Sequence, residues 1–487
     1  MSSSTLDTPT LDSQLPSLLH QITEEGGYAF TSIATRAAAG DTRAAEAARE
    51  LAWEQLHSGP WHSVFPIWRD AYAMACLHVA KCHFCSGELE LALRALDMGL
   101  IMGGISLRDD LNLCIRRVSH YLRERDSADG DQHQRAEWYR DFNLAEVRVK
   151  LKLKSSVGFR FHCVCGLATT LELSLLRLVL FIVLTDSETV VSIPRILNLN
   201  WQAARLLPAK SLSTKTVAKK GGLSLEEFLR EHFIPGLPVI ISGSMDHWPA
   251  TDRWSDMNYI KKVAGFRTVP VEVGRNYLSS DWKQELITIS EFLERIQSGD
   301  CSPTSTTYLA QHQLFDQACM IVETILGLIK RKYSHSLLCN TPYKCQIQEL
   351  KQDIVIPDYC FAGGGEIRSL NAWFGPSGTV TPLHHDPHHN ILAQIAGKKY
   401  IRLYSPSSSE ELYPHTETML CNSSQVDLDD IDKEEFPKIL DLGFIDCILE
   451  EGEMLYIPPK WWHYVRSLTK SFSVSFWWSV EGNSLDS

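Results

Sequence analysis

Two short stretches, far apart along the chain, decide the fold: Thr381-Pro382-Leu383-His384-His385-Asp386-Pro387 and Trp461-Trp462-His463-Tyr464. Successive side chains of a strand point to opposite faces, so His384 and Asp386 project together. His463 would add a second imidazole to that pair. Two histidines and one carboxylate on one face of a metal leave several positions open for other ligands, which suits non-haem Fe(II) better than zinc.

The same histidines have a second interpretation. His384, His385, His388 and His389 could form a solvated loop or an adventitious metal site. A histidine and an aspartate two residues apart are weak evidence taken alone, because such short motifs often match by chance. The sequence on either side of the motif therefore has to decide between the two interpretations.

That flanking sequence predicts short β-strands. Gly375-Pro376-Ser377-Gly378 and Ala396-Gly397 are turn signals, and strand patterns precede and follow them. In Ser471–Ser479, one face of the predicted strand is entirely apolar or aromatic. Short strands separated by Gly/Pro turns are typical of an all-β barrel or sandwich.

Lys399 lies in one of these strands, on the same face as Ile401 and Leu403. Burying an unpaired ammonium group is costly, so this position favours an anionic partner such as the carboxylate of a co-substrate. The alternative is that Lys399 ends the strand and its ammonium group reaches solvent.

These motifs resemble those of the jumonji-C family of Fe(II)- and 2-oxoglutarate-dependent oxygenases. Within that family the chain is most similar to the lysine-specific demethylase 8 subfamily, also described as an arginyl hydroxylase. The resemblance lies in residues 371–375, 381–387, 399–406, 462–466 and 471–479, and extends upstream through 308–315 and, more weakly, to about residue 193. It implies an α+β protein in which an N-terminal α-helical domain precedes a jumonji-C double-stranded β-helix, a cupin-like barrel.

The resemblance also implies cofactors and site residues. It implies that His384, Asp386 and His463 are the catalytic residues that bind Fe(II). Lys399 is implied to pair with the far carboxylate of 2-oxoglutarate, and O₂ is the second co-substrate. The remaining positions are implied to bind 2-oxoglutarate (Tyr308, Thr381 and Asn390) or to line the substrate pocket (Gln311, Trp373 and Trp477). Judged without the resemblance, these could equally be ordinary hydrogen-bonded or core residues of a barrel.

For function, the resemblance implies C3-hydroxylation of arginine side chains in protein substrates. The alternatives are demethylation of histone N-methyl-lysine, of the H3K36me2 type, and histone-tail peptidase activity, both in chromatin and cell-cycle regulation. The expected substrates are proteins or histone tails carrying arginine or methyl-lysine. Two other classes stay open: a binding module with an inactive barrel, and a non-oxidative cupin such as an isomerase.

Composition narrows the class of partner and the compartment. The net charge of −12 argues against broad nucleic-acid binding and favours basic protein partners. The 13 cysteines show no disulfide framework, and the first residues lack the basic start and apolar core of a secretory leader. A reducing compartment is therefore expected, the nucleus or also the cytoplasm.

A length of 487 residues predicts two or three domains. Residues 1–30 are expected to be disordered and 31–125 to form an α-helical domain that binds chromatin-associated or regulatory partners. Its clearest feature is a helical hairpin, Ile67–Cys85 and Glu88–Met102, joined at Ser86-Gly87. No second copy at a fixed period is visible, so a small helical domain is favoured over a solenoid.

The rest of the chain contains two segments that the family pattern lacks. Residues 126–192 are predicted to be a linker and atypical insertion, 193–480 the oxygenase domain with a second atypical insertion at 318–348, and 481–487 a tail. Either insertion could be lineage-specific or a translated non-coding segment. The apolar run Leu173–Leu184 is 12 residues long, short of the roughly 20 that span a bilayer, so no membrane association is expected.

Overall fold

The computed structural model describes residues 5–59, 63–129, 207–208, 210–212, 215–298, 306–314, 347–417 and 420–480. They form a helical domain followed by a β-rich domain, which confirms the predicted α+β class. The predicted insertions at 126–192 and 318–348 lie almost entirely outside the described residues, as does the run 173–184, and the predicted tail 481–487 lies wholly outside them. The domain boundaries at these segments stay predictions.

In residues 5–129, the described part of the helical domain contains α1 (Pro9–Glu24), α2 (Tyr28–Ala38), α3 (Thr42–Leu56), α4 (Pro66–Cys85), α5 (Leu89–Met102) and α6 (Arg108–Asp129). Helix α4 is central, because it packs against both α3 and α5 and is buried over most of its circumference. The predicted hairpin is present as α4 and α5. Gly87 joins them with φ +80°, a left-handed conformation that favours glycine.

The N terminus differs from the expected disorder over residues 1–30, because α1 and part of α2 occupy it. Leu11, Leu18 and Ile22 are buried in the helical core. The backbone N–H of Leu11 also donates to the carboxylate of Asp110 at 2.7 Å. Spacings of seven and four residues place these side chains on one helix face. This apolar stripe outweighs the Ser/Thr/Pro-rich composition on which the expectation rested.

The β-rich domain contains two sheets. Its strands are β1 (Lys215–Thr216), β2 (Ala218–Gly221), β3 (Val239–Ser242), β4 (Thr268–Val273), β5 (Lys283–Thr288), β6 (Thr307–His312), β7 (Glu366–Gly375), β8 (Val380–His385), β9 (His389–Ala396), β10 (Lys399–Tyr404), β11 (Ile445–Leu449), β12 (Glu453–Ile457), β13 (Trp462–Ser467) and β14 (Ser471–Ser479). The smaller sheet has the order β1-β11-β10-β13-β8, and the larger β2-β3-β12-β9-β14-β7-β6-β4-β5.

Four strands of each sheet build the predicted double-stranded β-helix: β8, β10, β11 and β13 on one side, and β7, β9, β12 and β14 on the other. Neighbouring strands within each set of four are antiparallel. An apolar cluster drawn from both sheets, including Leu392, Ile401, Leu403 and Leu455, fills the space between them. Inward-facing side chains of both sheets thus form one core, as in other β-sandwiches.

Short helices cover the outside of the larger sheet. They are α7 (Leu225–Phe228), α8 (Pro249–Arg253), α9 (Met257–Ala264), α10 (Ile289–Gln297) and α11 (Gln348–Lys351). Ser224 and Glu227 form a capping box at the start of α7. This helix buries Phe228 completely and leaves Leu225 41% exposed. Among the described residues, no helix is both long and apolar enough to cross a bilayer.

Gly397 lies in the turn between β9 and β10, and substituting it probes how tightly this turn is packed. It has φ +77°, and an added Cβ would lie 2.0 Å from the carbonyl oxygen of Lys470. We expect Gly397→Ala to lower the free energy of unfolding by about 2–5 kcal/mol, from left-handed strain together with the steric clash. Urea titration of the full chain measures the change.

Gly452 offers a matched control, since it has φ +84° but open space around its Cα. Gly452→Ala should lose only the conformational term, about 1–2 kcal/mol. Equal losses in the two variants would contradict the close approach of the Lys470 carbonyl.

Candidate metal centre

The predicted metal ligands meet at the junction of β8 and β13. The antiparallel register places His384 directly opposite His463, and their ring centroids lie 4.2 Å apart. Asp386 follows the last residue of β8, and its carboxylate oxygens lie 3.8 Å from His384 Nε2 and 3.5 Å from His463 Nε2. A metal site of this kind needs at least three His, Cys, Asp or Glu side chains with their ligand atoms close together. Within the described part of the chain, His384, Asp386 and His463 are the one such group, and their ligand atoms lie close enough together to hold a metal ion.

The hydrogen bonds of the two imidazoles leave the correct nitrogen free for a metal. His384 Nδ1 lies 2.8 Å from the carbonyl oxygen of Pro382, and His463 Nδ1 lies 3.0 Å from that of Trp461. A carbonyl oxygen only accepts, so Nδ1 carries the proton and Nε2 keeps its lone pair. Both Nε2 atoms face Asp386, which is the arrangement that a metal needs.

Burial shapes the charge state of this cluster. It lowers the pKa of His463 well below its ordinary value, which keeps the imidazole neutral, and it raises the pKa of Asp386. The desolvated carboxylate of Asp386 thus lies beside the neutral imidazole of His463. A divalent cation would supply a positive partner, and a donor set of two imidazoles and one carboxylate fits Fe(II).

A segment near residue 423 fixes the backbone of the metal-bearing strand. The N–H of His385 donates to the carbonyl of Asn422 at 2.9 Å, and the Asn422 amide donates back to the carbonyl of His385 at 3.0 Å. Beyond the strand end, the N–H of Lys460 donates to the carbonyl of Asp386 at 2.8 Å. The ligands are therefore held by backbone bonds on both sides, which favours a preformed site.

Lys399 lies inside the barrel rather than at its surface. It is 1% exposed and shares its face of β10 with the buried side chains of Ile401 and Leu403. Its Nζ donates a long hydrogen bond of 3.5 Å to the hydroxyl of Tyr308, and among the described residues no carboxylate lies within ion-pair distance. Burial lowers its pKa to about 7. The alternative in which the ammonium group reaches solvent is thus wrong.

Three further predicted residues, Tyr308, Thr381 and Asn390, carry polar groups on the barrel strands β6, β8 and β9. The hydroxyl of Tyr308 bonds to Thr381 on β8 as well as to Lys399. Asn390, on β9, is 5% exposed, and its buried Oδ1 has no hydrogen-bond partner among the described residues. Buried amide oxygens are rarely left unpaired, so this atom fits a site that takes a polar ligand. A buried ammonium group together with such an unpaired amide favours an anionic ligand, for example a small dicarboxylate.

The three residues predicted to line the pocket occupy different settings. Trp373 packs against the apolar core between the sheets, 6.3 Å from the ring of Tyr308, and its indole N–H donates to Ser475 at 2.9 Å. Trp477 lies opposite Asn390 in the sheet. Gln311 is exposed at a bulge of β6, with φ +47°. Their roles toward substrate stay predictions.

Sequence reasoning missed Glu272. This carboxylate lies on β4 directly opposite Tyr308 of β6, so both side chains emerge on the same side of the sheet. Burial raises its pKa, and the indole of Trp282 partly offsets that effect. The available signal was a single acidic residue between Val271 and Val273 in an otherwise apolar strand.

Tyr277 was also missed, and it connects Glu272 with the metal cluster. Burial raises the pKa of its phenol to about 12, and the nearby carboxylates of Asp386 and Glu272 add to that effect. Its hydroxyl is 3.0 Å from Ser423 Oγ, on the segment that flanks β8. Tyr277 thus lies near both the carboxylate of Glu272 and that of the metal ligand Asp386.

Comparison with known proteins identifies the family. A family model described as a cupin-like domain matches residues 225–484, and one described as KDM8-like, N-terminal ARM repeats matches residues 8–133. "Lysine-specific demethylase JMJ30" of Arabidopsis thaliana is 54% identical over 99% of this chain and 96% of that protein. This chain belongs to the jumonji-C family. It is therefore an Fe(II)- and 2-oxoglutarate-dependent oxygenase, which also uses O₂.

Other jumonji-C proteins match at lower identity. "Lysine-specific demethylase 8" of Xenopus tropicalis is 36% identical over 88% of this chain and 87% of that protein. "Bifunctional peptidase and (3S)-lysyl hydroxylase JMJD7" of Homo sapiens is 23% identical over 52% of this chain and 81% of that protein. The enzyme class is thus shared along the family, while the reactions in the names of its members differ.

The match to ARM repeats corrects the expectation of a small helical domain without repeats. Armadillo units are helical pairs or triplets of about 40–47 residues whose similarity lies mostly in buried positions. Many apolar residues satisfy such positions, so a search for identical residues at a fixed period detects only the most regular hairpin, α4 and α5.

Lys399 makes a prediction about pH. With a pKa of about 7, Lys399 is already charged below pH 7 and binds a carboxylate without proton uptake. Above pH 7 a proton must be taken up, so the Kd for 2-oxoglutarate should rise by about tenfold per pH unit. Calorimetry with Mn(II) in place of iron measures the Kd for 2-oxoglutarate at each pH. Repeating it in buffers of different ionisation enthalpy gives the number of protons taken up on binding.

The variant Lys399→Arg supplies the control, because a guanidinium stays charged throughout this range. Whatever its absolute affinity, that affinity should not change between pH 7 and pH 9. A flat profile in the unaltered protein would contradict the predicted pairing of Lys399 with the co-substrate.

Proposed function

We propose that this oxygenase demethylates N-methyl-lysine side chains of proteins, with histone tails as the expected substrates and the nucleus as its location. One observation carries the proposal: Glu272, a largely desolvated carboxylate, lies beside Tyr308 and near Tyr277, which is also near Asp386. A desolvated carboxylate at a pocket wall favours a cationic ligand. Relatives that match most of the chain bear the name lysine-specific demethylase, which supports lysine as the cation.

The proposal gives each buried polar residue a task. His384, Asp386 and His463 hold Fe(II) through the Nε2 atoms and the carboxylate that face one another. Lys399 pairs with the far carboxylate of 2-oxoglutarate. The co-substrate also receives hydrogen bonds from Tyr308, Thr381 and Asn390.

When bound, Fe(II) with 2-oxoglutarate and O₂ supplies the oxidation that places a hydroxyl group on an unactivated carbon. Glu272 orients the substrate cation, so that a methyl group rather than the aliphatic chain faces the metal ligands. Tyr277 and Trp282 shield that cation from water, and aromatic faces attract methylated ammonium groups. A hydroxymethyl group on nitrogen then loses formaldehyde, and the amine is restored.

The same carboxylate supports a second candidate, C3-hydroxylation of arginine. A guanidinium group matches a carboxylate with two parallel hydrogen bonds, which fixes the side chain more firmly than a single ammonium contact. The two reactions need the same oxidation and differ in the carbon presented. Hydroxylation on a carbon that is not attached to nitrogen leaves a stable product.

Mass spectrometry of reacted peptides decides between the candidates. We expect a methyl-lysine peptide to lose about 14 Da per turnover with release of succinate and formaldehyde, since each removed methyl is replaced by hydrogen. An arginine peptide that gains about 16 Da, with no formaldehyde, would instead establish the hydroxylase. Asp386→Ala should abolish either signal, because it removes one of the three metal ligands.

Glu272→Gln tests the proposed cation site. Replacing the carboxylate with a neutral amide should raise the peptide KM by about 10- to 100-fold, the loss of a charged hydrogen bond worth ~1.5–3 kcal/mol. The KM for 2-oxoglutarate should stay within about twofold, because Lys399 holds the co-substrate. Steady-state succinate release at varied peptide and co-substrate gives both constants.

Glu285→Gln provides a matched control on the neighbouring strand β5, with the same change of charge. Glu285 pairs with Lys283 and Arg295 at 2.7 Å each and lies away from the metal ligands. Its peptide KM should be unchanged. If the two variants behave alike, Glu272 does not bind the substrate.

A further inference from the structure

A buried carboxylate joins the helical domain to the oxygenase domain. Asp97, on α5, is fully buried and accepts hydrogen bonds from Arg267 Nε at 2.9 Å and Nη2 at 2.7 Å. It also accepts one from the backbone N–H of Thr268 at 2.7 Å. Arg267 is only 5% exposed. The two charges are paired with each other in a setting that is almost closed to water.

This contact lies at the start of strand β4. Helix α9 ends at Ala264, and two residues later Phe266 packs against the core of the helical domain. Thr268, the second partner of Asp97, is the first residue of β4. The chain therefore passes from the interface with the helical domain directly into a strand of the larger sheet.

The other end of β4 carries Glu272, opposite Tyr308 of β6. Glu272 is four residues beyond Thr268, roughly 13 Å along an extended strand. Among the described residues, the pairing of β4 with β6 covers Glu272 and Val273 only, while β5 pairs along the whole length of the other side. In the described part of the chain, β5 is the strand neighbour of the first part of β4, which the helical domain and the apolar core around Val269 and Val271 also contact.

We propose that Asp97 is a positioning residue for the substrate pocket: by fixing the start of β4, the helical domain sets where Glu272 stands opposite Tyr308. The helical repeats are then part of the catalytic unit and not only a surface for partners. The effect on substrate rests on the proposed function of Glu272. The anchoring of β4 does not.

Asp97→Asn in the full chain tests the proposal. Asparagine keeps the size and one acceptor oxygen but removes the charge that Arg267 needs. We expect amide hydrogen exchange of Val269, Val271 and Glu272 to accelerate at least about tenfold; Pro270, between them, has no amide hydrogen. We expect the peptide KM to rise by about tenfold, while the KM for 2-oxoglutarate and its turnover without peptide stay within about twofold.

Glu349→Gln is the matched control. It breaks another ion pair between the domains, Arg123–Glu349 at 2.8 Å, which is solvent-exposed and lies on α11 rather than β4. Exchange in β4 and both KM values should be unchanged. Equal effects of Asp97→Asn and Glu349→Gln would overturn the inference, because they would reflect domain contact in general.

Arg267→Lys serves if Asp97→Asn fails to fold. It keeps the positive charge but replaces a bidentate contact with a single hydrogen bond, so we expect the same changes in exchange and peptide KM with a smaller magnitude.

Unchanged exchange in β4 in a folded variant overturns the anchoring. Faster exchange with an unchanged peptide KM, in a protein where Glu272→Gln raises that KM, overturns the positioning alone. An unchanged KM in Glu272→Gln as well overturns the proposed cation site instead.

Discussion

The chemistry of the oxygenase domain depends on the pairing of β8 with β13, which brings His384 opposite His463. The two residues are 79 positions apart, and only the sheet register holds them together. A slip of one residue would turn the imidazole of one strand to the opposite face. The register is constrained from both sides, because β13 also pairs with β10, where Leu403 lies opposite His463. The same strand β10 carries Lys399, so one set of pairings positions both the metal ligands and the lysine.

Several ionisable groups of the oxygenase domain lie in a poorly solvated interior. Burial raises the pKa of Asp386 and Glu272 and lowers that of Lys399. Each shift records a free-energy cost of keeping the charged form in the protein without its ligands. A metal ion beside Asp386, a dicarboxylate at Lys399 and a cation at Glu272 would each reduce one of these costs. Ligands that bind only the folded state also stabilise it, so the cofactors contribute to stability as well as to chemistry.

The residues that sequence could identify are those whose chemistry is visible locally. The alternation of a strand is enough to place His384 with Asp386, and Lys399 with Ile401, on one face. Glu272 could not be found in this way, because its place in the pocket comes from its pairing with Tyr308 on a strand that is distant in sequence. Helix α1 was overlooked for a different reason. Its apolar residues are few, and their burial depends on α4 and α6, against which they pack.

The interface between the two domains combines apolar burial with a buried ion pair, and the two contribute differently. Phe266 against the helical core provides apolar burial, which holds two surfaces together but permits them to rotate or slide. The Asp97–Arg267 pair adds little net stability relative to apolar residues of similar size, because both charges are desolvated. Its hydrogen bonds are directional, however, and one of them comes from the backbone of Thr268. The pair therefore fixes the position of the strand itself, and β4 transmits that position to Glu272 through a stiff, sheet-bonded segment.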